Sequence, residues 1–95
     1  MKVRNINGTS DNTCKCRSWI NHWEKYAEKT ATMCSATACF ISKDLVGAHV
    51  QKDDSNNKSW YIIPFCEHHN KKTEEIEVWS STILVSANVN ETCGK

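Results

Sequence analysis

Glycine and proline are scarce in this chain: its 95 residues contain three of the first and one of the second. With the glycines isolated at positions 8, 47 and 94, no glycine-rich loop of the kind that cradles phosphate can form. Charge of one sign is also missing. Twelve basic and eleven acidic residues leave a formal net charge of +1, so there is no overall cationic surplus with which to hold a nucleic-acid backbone. No apolar run approaches the ~20 residues needed to span a bilayer, and the opening Met1-Lys-Val-Arg-Asn-Ile leads into polar Asn7 to Lys15 without the apolar core of a secretory signal. That pattern places the expected protein in the cytoplasm, with no membrane partner and no small-molecule cofactor. Length sets a further limit. One domain, spanning residues 1–95, is all this chain can build, and a domain of this size buries only roughly 60 to 65 % of its unfolded surface.

What the chain does have is six cysteines, four histidines and four tryptophans. A small core supplemented by cross-links or metal is the expectation. Disulfides are one way to supply it: the cysteine count is even, and Asn7-Gly-Thr9, Asn57-Lys-Ser59 and Asn90-Glu-Thr92 match the glycosylation pattern of secreted proteins. A secreted, disulfide-stapled domain therefore stands as an alternative. Metal is the leading reading, because histidines sit near or among the cysteines, and imidazole is a zinc ligand with no role in a disulfide.

Hydrophobic periodicity gives the expected elements. Trp19, Ile20, Trp23, Tyr26 and Ala27 fall at helical spacing and predict an amphipathic helix from Arg17 to about Lys29, with His22 at its polar boundary as a surface histidine. Leu45 to Gln51 and Ser59 to Ile63 read as two strands joined by the turn-rich Lys52 to Lys58, with Pro64 ending the second. Glu67 to about Val78 reads as a helix, Thr82 to Ser86 as a short strand, and residues 1–13 as a short strand or loose arm. The tryptophans and tyrosines are expected to fill the core.

Two constellations carry chemistry. The first joins Cys34-x4-Cys39 to Cys66-x2-His69 at the start of a helix. Zinc requires four nitrogen or sulfur donors in a tetrahedron; a short knuckle supplies two, and residues i and i+3 on the first helical turn supply two more. The helix N-terminus also favours thiolate at Cys66. The second is Cys14-x-Cys16 with Cys93, where alternate residues of an extended strand place both sulfurs on one side. His22, His49 and His68 are open as its fourth donor, and His68 is the one provisionally assigned. One zinc is expected and a second is possible.

Cys34-x4-Cys39, Leu45-Val-Gly-Ala-His49-Val and Tyr61-Ile-Ile-Pro-Phe-Cys66-Glu-His-His69-Asn70 resemble the treble-clef zinc finger of the HNH endonuclease family over about residues 34–72. The resemblance implies an α+β fold: a zinc-stabilised hairpin plus helix, with the N-terminal amphipathic helix added. It also implies His49 at the position of the water-activating base and Asn70 at the helix position that meets the catalytic cation, with Asn56 or Asn57 as the intervening asparagine. In active members a His or Asp precedes the base; here that residue is Ala48, which offers no ligand. The leading expectation is a non-enzymatic, structural-zinc binding module contacting a protein or a nucleic acid. A divergent metal-dependent nuclease using His49 is the alternative.

Overall fold

A computed structural model describes residues 1–6, 16–53 and 58–88. Its centre is the expected hairpin, β2 (Val46–Lys52) against β3 (Tyr61–Phe65), with Ala48 opposite Ile63 and His49 opposite Ile62. Outside it lie β1 (Lys2–Asn5), β4 (Ile76–Glu77) and β5 (Val85–Ser86). The five strands run in the order β4-β1-β2-β3-β5, and every neighbouring pair is antiparallel. The architecture is α+β.

Strand alternation divides the hairpin between two faces. Ala48, Val50, Ile63 and Phe65 point to one side and pack with Val3, Ile76, Val78, Cys34 and Cys66. His49 and Ile62 point to the other, where α1 (Trp19–Ala27) lies across the sheet and Trp23 meets Ile62 and Val85. Ser18 caps α1 by accepting from the Asn21 N–H at 3.2 Å, and Glu28 ends it in the left-handed region at φ 56°. Gly47 lets the helix sit this close. A Cβ there would stand 2.3 Å from the carbonyl carbon of Trp19 and 2.6 Å from the Ile20 nitrogen.

Several sequence expectations are corrected by long-range pairing. Of the short strand or loose arm expected at the N-terminus, the strand forms: β1 is bracketed by β2 and β4, and Val3 is fully buried. Pro64 does not end β3 but lies within it. Its carbonyl accepts from the Ser35 N–H at 2.9 Å on the outer edge, the side to which a residue's own N–H also points. The missing proline donor therefore faces away from β2, as edge positions allow. The helix expected from Glu67 to Val78 stops after one turn, as α2 (Glu67–Asn70). Ile76 and Val78 leave helical geometry because both are buried in the core that contains Cys34 and Cys66, where Ile76 pairs with Val3 and Val78 bridges to Ala36. The aromatic core is only partly as expected: Trp23 is buried, while Trp60 and Trp79 are about 40 % exposed.

Candidate metal centre

The knuckle is built by backbone hydrogen bonds that fold 34–41 on itself, Cys34 N–H to Ile41 O at 2.9 Å and Cys39 N–H to Ala36 O at 3.1 Å. Ala38 takes φ 61° to make the turn. The knuckle is then fastened to the sheet on two sides, by Ser35 N–H to Pro64 O and by Thr37 N–H to Glu77 O, both 2.9 Å. Those anchors hold Cys34 and Cys39 beside the end of β3, where Cys66 is the residue that turns strand into α2. One helical turn later, His69 returns its ring to the same place.

The result is four donors in one cluster. The sulfurs of Cys34, Cys39 and Cys66 and a ring nitrogen of His69 all lie within 4.8 Å of one another. His69 Nδ1 is 3.2 Å from Cys66 Sγ and 3.7 Å from Cys34 Sγ, and Cys39 Sγ is 4.0 Å from Cys66 Sγ. A tetrahedral ion with metal–sulfur bonds of about 2.3 Å has ligand–ligand edges of roughly 3.8 Å, so the cluster has the dimensions to hold one metal ion. Its sulfurs are not disulfide-bonded: 4.0 Å is about twice the length of an S–S bond.

Electrostatics favour a cation here. Burial pushes the Cys34 thiol up to about 12, because a lone thiolate in that pocket is poorly solvated. Burial acts the same way on Cys66, but backbone N–H groups of His69 and His68 and the neighbouring Cys34 and Cys39 thiols outweigh it, and the thiol falls below its ordinary range. Burial, and then the positive charges of His68 and Lys72, lower His69 and keep its imidazole neutral. A bound divalent cation offsets the cost of deprotonating Cys34.

Asn5 escaped sequence reading. Its side-chain amide donates to the carbonyls of His69 at 2.8 Å and Lys72 at 2.9 Å, satisfying two acceptors at the end of α2 and fixing the turn that carries His69. No local motif announces this contact, since it spans more than sixty residues of sequence.

The other candidate residues are scattered. Cys14 and Cys93, and the asparagines at 56 and 57, lie outside the described residues. His68 is exposed and stacks edge-on against His69 at 5.2 Å, beside the first cluster. The histidine next to Cys16 is His22, with Nδ1 3.8 Å from the sulfur. His22 is also completely buried and no surface residue. Its position, three after Trp19 and four before Tyr26, puts it inside the apolar stripe. His49 is 7 % exposed, with the Trp19 ring edge-on at 4.6 Å. Its Nε2 is buried without a hydrogen-bond partner. Asn70 is exposed at the end of α2 and donates its backbone N–H to Cys66 O. His49 faces α1, whereas Asn70 lies at the end of α2.

Among the described residues no helix is long and apolar enough to cross a membrane. Comparisons with protein-family models, with curated proteins and with solved structures found no match for this chain.

Proposed function

We propose that the chain is a structural-zinc binding module in which the knuckle 34–39, the β2–β3 hairpin and α2 form a treble-clef arrangement, and that it acts by binding a protein. The observation that carries this reading is the donor set. Three thiolates and one imidazole match zinc and do not match calcium or magnesium, which take oxygen ligands. Four donors from the chain would complete a tetrahedral zinc site, leaving no position for a water or a substrate, so the metal would contribute to the fold.

The partner reading rests on what the knuckle displays. Phe40 is 73 % exposed and Ile41 48 %, with Met33 beside the same turn, and aromatic residues and methionine are enriched at protein interfaces. The near-zero net charge gives a phosphate backbone little to hold. Burial of His49 under Trp19 and the presence of Ala48 beside it argue against hydrolysis, which needs an accessible base and a cation at the phosphate.

The test combines metal content with activity. Purified protein is expected to hold zinc by elemental analysis and to leave supercoiled plasmid intact in magnesium or manganese. Cleavage that His49→Leu abolishes would replace this reading with the nuclease, and protein that folds fully without metal would remove the structural zinc.

The same variant has an expected effect on stability. Burial, and then the neighbouring His22, bring His49 down to about 4, against an ordinary value near 6.5. The folded form therefore resists a proton that the unfolded chain accepts. Stability is complete above about pH 6.5 and is lost as pH falls through this window towards 4. His49→Leu removes both that dependence and the orphaned Nε2, so its melting temperature should exceed the parent's by a margin that grows from pH 7.5 to pH 5. A constant margin would show that His49 is not held neutral by the fold.

A further inference from the structure

We propose that Cys16 and His22 are ligands of a second metal ion, bound on the α1 face of the sheet, opposite the first cluster. The inference starts from the orientation of His22. Its Nε2 lies 2.9 Å from the carbonyl oxygen of Ser86 on β5, an atom that can only accept, so Nε2 carries the proton and Nδ1 presents a lone pair. Metal-binding histidines are typically held this way, with one ring nitrogen donating to a backbone carbonyl and the other facing the ion. Here Nδ1 faces the sulfur of Cys16.

The spacing agrees with shared coordination. Nδ1 is 3.8 Å from Cys16 Sγ, close to the 3.7 Å between His69 Nδ1 and Cys34 Sγ in the first cluster and to the edge of a tetrahedron around zinc. The backbone is shaped to make the approach. Arg17 takes φ 76° between Cys16 and the helix cap Ser18, which turns the chain back over the first turn of α1, where His22 lies. That turn contains no acidic residue, so the positive end of the helix is left to favour a thiolate.

The surroundings are also those of a ligand. His22 has no exposed surface, and its ring is enclosed by Trp19 at 5.0 Å and Tyr26 at 5.0 Å. Coordination accounts for both ring nitrogens. On binding, the Cys16 thiol releases its proton to solvent, and its sulfur and Nδ1 each give an electron pair to a thiophilic divalent ion such as zinc. Two donors are in place on the described residues. The proposal rests on that pair, and the experiment counts ions without assuming the remaining ligands.

Reduced full-length protein is reconstituted with zinc and weighed by native mass spectrometry, and thiol alkylation of the folded protein is mapped in parallel. Two zinc ions are expected, with Cys16 protected from alkylation until the second ion is removed by a chelator. Cys16→Ser should retain one ion and the protection of Cys34, Cys39 and Cys66. A single ion in the parent that persists in Cys16→Ser overturns the proposal, as does rapid alkylation of Cys16 in the fully loaded protein. A single ion lost in Cys16→Ser but kept in Cys34→Ser would support this site and overturn the first one, so the two assignments fail separately. If Cys16→Ser does not fold, the alkylation pattern of the parent decides.

Discussion

Cys66→Ser is expected to leave a chain that neither holds metal at the first cluster nor unfolds cooperatively. Cys66 is the hub of that cluster, at 3.2 Å from His69 Nδ1 and 4.0 Å from Cys39 Sγ, and it is also the residue at which β3 becomes α2. Serine keeps the volume and can still cap the helix, so a purely structural role would tolerate it. A hydroxyl is a poor zinc ligand, and structural zinc contributes about 10 to 16 kcal/mol in finger peptides, as much as the whole stability of an ordinary domain, about 5 to 15 kcal/mol. The loss is therefore expected to be complete, with no thermal transition by circular dichroism. Treating the parent with chelator should reach the same state, reversed by added zinc. Acid should do so too, because binding needs thiolates and a neutral His69 and so weakens as pH falls. A Cys66→Ser protein that melts at the parent's temperature with its metal retained would remove the site.

Gly47→Ala should destabilise the fold by less, and for a different reason. The added methyl would meet the backbone of Trp19 and Ile20 at 2.3 to 2.6 Å, and backbone in the first turn of a helix cannot rotate aside as a side chain can. The helix must lift away from β2, taking Trp23 off Ile62 and Val85 and straining its hydrogen bond to Ile83 O. Overpacking of this kind costs about 1 to 3 kcal/mol, which in a domain of this size is a fall in melting temperature of roughly 5 to 20 °C. Trp23 fluorescence should shift red as its ring meets water. Metal content at the Cys34 cluster, on the other face, should be unchanged. An unaltered melting curve would show that α1 does not pack on the hairpin at Gly47.

These two expectations separate what the sequence makes legible from what it hides. The four residues of the first cluster could be read directly, because Cys-x4-Cys and Cys-x2-His are local spacings whose geometry follows from a turn and a helical repeat. The hairpin was legible for the same reason, as two runs of β-branched and aromatic residues around a polar turn. The contacts that join these pieces were not. Ile76-Glu-Val78 has the alternation of a strand, but its neighbours Glu74, Glu75, Lys71 and Lys72 suit a helix, and only pairing with Val3 and Ala36 decides between them. His22 was misjudged because polarity was weighed above position. Asn5 was invisible, since nothing near it in sequence shows that the carbonyls of α2 will arrive there.

The place of β1 between β2 and β4 has a consequence for synthesis. Val3 pairs with Lys52 on one side and Ile76 on the other, so β1 is synthesised well before either strand that pairs with it. His69, the last residue of the first cluster, also arrives late. β1 stays unpaired until synthesis passes residue 52 and gains its second neighbour only at residue 76, and the four clustered donors are complete only at residue 69. Folding of this domain is accordingly a late event, because completing the sheet waits for residue 76.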